Sequence, residues 1–264
     1  MLRCPVCQSS LSRFERTFRC PQGHTFDVAK EGYINLTVGH STRSHGDDPA
    51  MVSARRTFLS QGHYAPLKAA LLLELAQLDL TSVVDLGCGE GDYTQAMADA
   101  GYAVIGIDLS KSAIKRAAKG SKVTYLIANL TQTPLSDHAV EAAVSIFSPF
   151  DAQEVTRIAS RWFVVVRPLP QHLIELKALL YPTVRPNPQP SFTLDGMHHH
   201  HRTEVVFPMA LSGVALNALL AMTPYVHTSP QDGLARVKSC EALTVTAAVA
   251  IDVFACCTPA VKSI

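Results

Sequence analysis

Three glycines spaced by single residues close the segment Val83-Val84-Asp85-Leu86-Gly87-Cys88-Gly89-Glu90-Gly91, and no other stretch constrains the fold as strongly. An apolar run meets a glycine turn and then a fresh helical pattern, which reads as strand, tight turn, helix. Glycine is needed where the chain takes positive φ or where a Cβ would collide with something bound against the backbone. Gly87, Gly89 and Gly91 therefore make an open floor. A second strand over 103–108 ends in Asp108, about twenty residues after the turn, the offset of an acid that holds a ribose diol. The plainer reading is an ordinary strand-to-helix turn with Asp108 as the N-cap of the following helix.

From Val83 onward strands and helices alternate. Strands are expected over 83–86, 103–108, 123–127, 142–147 and 162–166, with helices over 92–100, 111–119, 152–159 and 171–181. Such alternation specifies an α/β fold with a mostly parallel sheet covered on both faces. Two later β-rich stretches, 205–210 and 243–256, are expected to close the sheet as a hairpin-like pair around a helix over 214–222. Ahead of the glycine turn, two helices lie between Met51 and Leu80, Asn35-Leu36-Thr37 looks extended, and Gly39 to Pro49 reads as a polar loop. Pro182 to Arg202 reads as one long irregular insertion. It ends in His198-His199-His200-His201, whose adjacent side chains on an extended chain point to alternate faces; the run is expected in a solvated loop without zinc.

The chain opens with Cys4-Pro5-Val6-Cys7 and continues, twelve residues on, with Cys20-Pro21-Gln22-Gly23-His24. Cys-x2-Cys-x12-Cys-x3-His is a four-ligand zinc spacing, two ligands on each of two tight knuckles. About thirty residues cannot bury enough apolar surface to fold alone, so a structural metal is expected at Cys4, Cys7, Cys20 and His24. The plainer reading, unliganded thiols in an irregular arm, leaves the matched pairs unexplained. Seven cysteines, an odd number, fit thiolates in a reducing compartment, and no secretory signal or membrane-length apolar run is visible, so a cytoplasmic protein without membrane contact is expected. Residues 1–56 carry eight Lys/Arg against five Asp/Glu, a modest basic bias compatible with phosphate contacts. Lys111, Lys115, Arg116, Lys119 and Lys122 form a basic helix face, read equally well as solvated surface or RNA contact.

Dinucleotide sites prefer G-x-G-x-x-G, whereas G-x-G-x-G behind Asp85 resembles motif I of the class I S-adenosylmethionine methyltransferases. The zinc knuckles, the run Ala54-Arg55-Arg56-Thr57-Phe58-Leu59-Ser60-Gln61-Gly62-His63-Tyr64-Ala65-Pro66-Leu67 and the glycine turn, in that order, resemble the 23S ribosomal RNA (guanine-N1)-methyltransferases. Segments 26–33, 171–177 and 222–225 fit the same family, so the likeness covers nearly the whole chain. It implies a Rossmann-like methyltransferase sheet with a small N-terminal zinc-binding domain. Residues 1–36 would be the zinc module that recognises RNA, 37–80 a linker with helices, and 81–264 the S-adenosylmethionine-binding domain. Zn2+ would sit on the four N-terminal ligands. Tyr64, Gly89, Glu90 and His172 would bind the cofactor, and the fold logic adds Gly87, Gly91 and Asp108. Asn129 stands where many such enzymes place an acid against the adenine, and a turn at Ala159-Ser160-Arg161 replaces Pro-Gly-Gly before the fifth strand. The partner implied is 23S ribosomal RNA, and the family suggests a homodimer.

Methyl transfer from a sulfonium needs an in-line nucleophile and no covalent residue. Phe147 or Phe150 is expected to stack on the target base, and Asp151 and Glu175 are candidate acceptors of the guanine N1 proton, with the catalytic base left unassigned. Two other readings stand beside this one: a small-molecule or protein methyltransferase with a zinc-stapled lid, and a non-catalytic zinc protein that binds RNA.

Overall fold

A computed structural model describes residues 2–38, 49–189 and 193–257. Residues 39–48 of the expected loop, and residues 190–192 of the expected insertion, lie outside the described residues. The chain begins with a three-stranded antiparallel ribbon, β1 (Ser12–Phe14), β2 (Thr17–Arg19) and β3 (Thr25–Asp27), and then β4 (Ile34–Asn35). Helices α1 (Pro49–Ser60) and α2 (Ala65–Gln77) follow. The alternating region is β5 (Ser82–Leu86), α3 (Asp92–Asp99), β6 (Ala103–Asp108), α4 (Lys111–Ala118), β7 (Thr124–Ile127), β8 (Val140–Ile146), α5 (Ala152–Ile158), β9 (Ala159–Pro168) and α6 (Ile174–Leu180). The last elements are β10 (Met197–Ser212), α7 (Gly213–Ala221), α8 (Tyr225–Thr228), α9 (Gln231–Ser239) and β11 (Ala242–Cys256).

Eight strands form the main sheet in the order β10-β11-β9-β8-β5-β6-β7-β4. The pairs from β9 through to β4 are parallel, and β11 is antiparallel to both neighbours. Central strands buried on both faces need continuous apolar runs, which β5, β8 and β9 supply. Val83 and Val84 point into opposite layers: Val83 packs with Leu67, Leu71, Leu75 and Met97, Val84 with Leu126, Leu135 and the ribbon residues Cys4, Leu11 and Cys20. The order of connection reverses between β5 and β8, the switch point at whose carboxyl ends open α/β sheets bind ligands. Gly87 follows β5 there, and Phe147 follows β8.

The extended stretch expected at Asn35 is borne out there as β4, the edge strand of the main sheet, paired with β7. Three expectations change. Ala159-Ser160-Arg161 is no turn but the start of β9: Ala159 pairs with Val140, and Arg161 reaches the Asp79 carbonyl (2.7 Å) and Glu141 (3.2 Å). The helix expected from 171 starts at Ile174, because Leu173 has φ 56° and donates its N–H to the Thr246 carbonyl of β11. The histidine run is largely solvent-exposed as expected but is no loop; it lies in β10, ahead of the hairpin strand expected from 205. Two buried carboxylates account for this. Asp252 receives His199 Nε2 at 2.8 Å and the Arg202 guanidinium at 2.8 and 3.0 Å, while Glu74 receives His201 Nε2 and the Thr203 hydroxyl, each at 2.6 Å. A buried acid without donors is costly, so these partners draw the segment into the sheet.

Candidate active site and metal centre

The glycine turn folds back over β6. Gly87 and Cys88 both donate their N–H to the Ile107 carbonyl (2.8 and 3.0 Å), and Gly89 donates to Asp108 Oδ2 (2.8 Å). Asp108 also accepts the Ser110 N–H on Oδ1 (2.7 Å). Ser110, and not Asp108, caps α4 by accepting the Ala113 N–H. Asp108 therefore closes the turn at the strand end. Gly87 has φ 77°, and a Cβ built on it would lie 1.8 Å from Ser148 Oγ.

Around this turn lies a cavity of about 260 Å3. Asp85, Gly87, Gly89, Glu90 and Asp108 line it together with Tyr64, Leu109, Leu130 and Phe147. Glu90 Oε2 and the Tyr93 hydroxyl are buried in it with no hydrogen-bond partner among the described residues. Buried polar atoms are normally satisfied, so a ligand with polar ends and an apolar middle fits the space. Phe147 takes φ 53° and is 43% exposed, which holds its ring at the mouth. It sits between Tyr64 (ring centroids 6.1 Å) and His172 (5.7 Å, stacked at 27°).

Tyr64, Gly87, Gly89, Glu90 and Asp108 thus converge, whereas Gly91, Asn129 and His172 do not line this cavity. Gly91 makes room for packing: a Cβ there would meet the Tyr125 hydroxyl at 2.4 Å. Asn129 is exposed, and its amide oxygen accepts the Thr131 N–H and hydroxyl (3.0 and 3.1 Å), leaving Leu130 to face inward. His172 stands behind Phe147. Its Nδ1 accepts the Ala248 N–H at 3.1 Å, and burial, helped by Lys177, lowers its pKa to about 4, so the ring is neutral. Of the two candidate proton acceptors, Asp151 caps α5 through Glu154 N–H (2.9 Å), and Glu175 accepts the Thr246 N–H and hydroxyl (2.8 and 2.7 Å). Both are committed elsewhere. Phe150 packs edge-on against Phe163 at 4.8 Å, which leaves Phe147 as the exposed ring at the cavity. Arg55, Leu59, Tyr93 and Met222 also line the cavity. The sequence signalled Arg55 and Leu59, within the Arg-Arg-x-Phe-Leu run, and Met222, within the family-like segment 222–225, but not Tyr93.

Asp85 is fully enclosed and accepts the Thr94 hydroxyl at 2.6 Å; burial, with Asp108 nearby, raises its pKa to about 7. A raised acid favours folding at low pH, and that contribution is lost as pH climbs from its unfolded value near 4 through about 7. Asp85→Asn keeps the Thr94 bond and removes the buried charge. The variant is expected to match its parent near pH 4 and to exceed it above pH 8 by on the order of 2–4 kcal/mol in the absence of ligand. Denaturant melts across pH measure this, and a pH-independent difference would show that Asp85 stays charged.

The metal ligands meet as the spacing requires. Cys4, Cys7, Cys20 and His24 place their ligand atoms within 4.8 Å of one another, with Cys4 and Cys20 buried. Cys20 Sγ and Cys4 Sγ lie 3.3 and 3.6 Å from His24 Nδ1, and Cys7 Sγ lies 3.6 Å from Cys20 Sγ. A tetrahedral zinc with Zn–S near 2.3 Å has edges of about 3.5–3.8 Å, so the donor set fits the ion. Gly23, at φ 85°, turns the second knuckle so that the Cys20 N–H reaches the His24 carbonyl (3.1 Å). The Ser9 side chain and backbone lower the Cys7 thiol to about 6, toward the thiolate that binds metal. Four protein ligands make the site closed and structural.

Residues 2–44 match the zinc-ribbon family model described as "RlmA, N-terminal", and residues 83–169 match the one described as "Methyltransferase domain". The "23S rRNA (guanine(748)-N(1))-methyltransferase" of Streptomyces fradiae is 34% identical over 254 residues, covering 89% of each chain. The "Putative 23S rRNA (guanine-N(1)-)-methyltransferase" of Micromonospora griseorubida is 34% identical over 292 residues, covering 94% of this chain and 95% of its own. With the zinc ligands, the glycine turn and the sheet order in place, this identity over nearly the full length shows that the chain belongs to the 23S rRNA (guanine-N1)-methyltransferase family.

Proposed function

We infer that the protein transfers the methyl group of S-adenosylmethionine to N1 of a guanine in 23S ribosomal RNA. The observation that carries this reading is one cavity at the switch point lined by the glycine turn, by Asp108 and by the exposed Phe147. Gly87 and Gly89 would lie under the cofactor, Asp108 at its ribose, and Glu90 and Tyr64 at its polar and sulfonium ends. S-adenosylmethionine supplies a methyl carbon made electrophilic by a sulfonium. The chain's part is positional: Phe147, braced by His172, stacks the unpaired guanine so that N1 lies behind that carbon. As the N1–C bond forms, the methyl–sulfur bond breaks with its electron pair left on the departing thioether, and the N1 proton passes to water. The zinc ribbon presents the folded RNA, and ribosomal RNA as substrate places the protein in the cytoplasm. No helix among the described residues is long and apolar enough to cross a membrane. The family resemblance extends to a homodimer, for which sedimentation of the zinc-loaded chain is the test.

Incubation with unmodified ribosomal RNA and methyl-labelled cofactor is expected to place label on guanine N1, and an unlabelled guanine fraction would discard the assignment. Phe147→Ala is expected to lower kcat/KM for RNA by about 10–100-fold, since a base–aromatic stack is worth about 1–3 kcal/mol. Cofactor affinity, measured by calorimetry, changes far less. Equal losses for RNA and cofactor would place Phe147 on the cofactor instead.

A further inference from the structure

A second cavity, of about 320 Å3, adjoins the first between α1, α3 and α4, and Glu90 and Asp92 belong to both walls. Three cations line it from two helices: Arg56 of α1, and Arg116 and Lys119 at the end of α4. All three are exposed, and among the described residues none of them makes a salt bridge or a side-chain hydrogen bond. The acids nearby do not neutralise them. Asp92 is paired with Lys68 at 2.8 Å, and the Glu90 carboxyl is raised to about 7 by burial even with Arg55, Arg56 and Arg116 close to it. Lys115, on the same helix, does have an acid partner, Glu31 at 3.2 Å. Like charges gathered around one concavity repel, and neither solubility nor folding calls for that arrangement.

The surroundings point to what compensates them. Glu31 belongs to the segment that leaves the zinc ribbon, and Ala29 and Tyr33 of that segment pack on Ile114, Ala117 and Ala118 of α4. The cationic cavity therefore shares α4 with the segment leaving the ribbon and shares Glu90 and Asp92 with the cofactor cavity. A polyanion that touches both crosses it.

We propose that the Arg56–Arg116–Lys119 cavity seats phosphodiester groups of the RNA strand flanking the target guanine. This rests on the RNA methyltransferase reading above and adds to it the surface that fixes the strand. Phosphate contacts set register without reading sequence, and their signature is salt dependence. The test compares the zinc-loaded full chain with R116Q/K119Q, with Lys119→Gln alone, and with Lys111→Gln, an exposed lysine of α4 outside the cavity. Binding of a 23S ribosomal RNA fragment is titrated across potassium chloride, with methylation kinetics and S-adenosylmethionine calorimetry alongside. The double variant is expected to flatten the slope of log affinity against log salt by about 1–2 and to raise KM for RNA by about 10-fold. Cofactor affinity stays at the parental value, which reports an intact fold; Lys119→Gln shows about half the slope change, and Lys111→Gln shows none. A double variant with the parental slope and KM overturns the proposal, as does a Lys111→Gln effect of equal size. If the parent binds cofactor but methylates no RNA, the underlying reading fails and the proposal falls with it.

Discussion

Gly87→Ala is expected to abolish cofactor binding and methyl transfer, and to destabilise the fold by on the order of 2–5 kcal/mol. Alanine at φ 77° costs about 1–2 kcal/mol, because its Cβ crowds the following carbonyl. Overpacking adds about 1–3 kcal/mol: the new methyl would lie 1.8 Å from Ser148 Oγ and 2.5 Å from Ser148 Cβ, so rotating the serine does not relieve it. Either the turn withdraws, breaking the Gly87 and Cys88 bonds to the Ile107 carbonyl, or the 147–149 segment withdraws and takes Phe147 with it. Each movement displaces one wall of the cavity. Gly89→Ala makes the useful contrast for stability: at φ 55° it shares the backbone cost, but its Cβ would meet only Arg55 Nη1 at 3.6 Å, so the overpacking is absent. Thermal melts separate the two, and calorimetry with S-adenosylmethionine tests each as part of the cofactor floor. A Gly87→Ala protein with parental cofactor affinity would mean that this turn is not the cofactor floor.

What the sequence disclosed and what it hid follow from how far apart the interacting groups lie. The strand-turn-helix over 83–91 and the two zinc knuckles are local, and each was readable because its chemistry lies in neighbouring residues. The histidine run was misread because its partners are remote: Asp252 is 53 residues from His199, and Glu74 is 127 from His201. Helix α9 was missed for a similar reason. Gly233 weakens its helical signal, yet a Cβ there would come within 2.1 Å of the Leu180 carbonyl of α6, so the glycine serves a contact invisible to propensity. At the site, Asn129 and Leu130 differ by one position, and only the backbone's direction after β7 decides which faces the cavity. His172 was expected at the cofactor; the structure stacks it on Phe147, a position that depends on β11 supplying the Ala248 N–H and that no local pattern discloses.

Removing zinc is expected to abolish RNA methylation while sparing cofactor binding, because the two depend on different parts of the chain. The ribbon has little core of its own: Cys4, Leu11 and Cys20 are its buried residues and every residue of β1 is exposed, so its fold relies on the metal. Structural zinc supplies an apparent 10–16 kcal/mol in small modules, about the total stability of a typical domain. Without the ion, three thiols and an imidazole within 4.8 Å of one another have nothing to hold them together. The loss does not spread to the cofactor cavity, whose walls come from β5, β6, β8 and α1. It does reach the junction, where Leu2 bridges to Leu135, the Arg3 N–H donates to the Pro134 carbonyl at 2.8 Å, and β4 pairs with β7. Chelation, or Cys20→Ser, should therefore release one zinc per chain, speed hydrogen exchange at Leu36 and lower kcat/KM for RNA by at least about 100-fold. Calorimetry should return a nearly parental affinity for S-adenosylmethionine. Parental RNA methylation in the zinc-free protein would show that the ribbon does not present the substrate, and loss of cofactor binding together with the metal would show that the ribbon and the sheet fold as one unit.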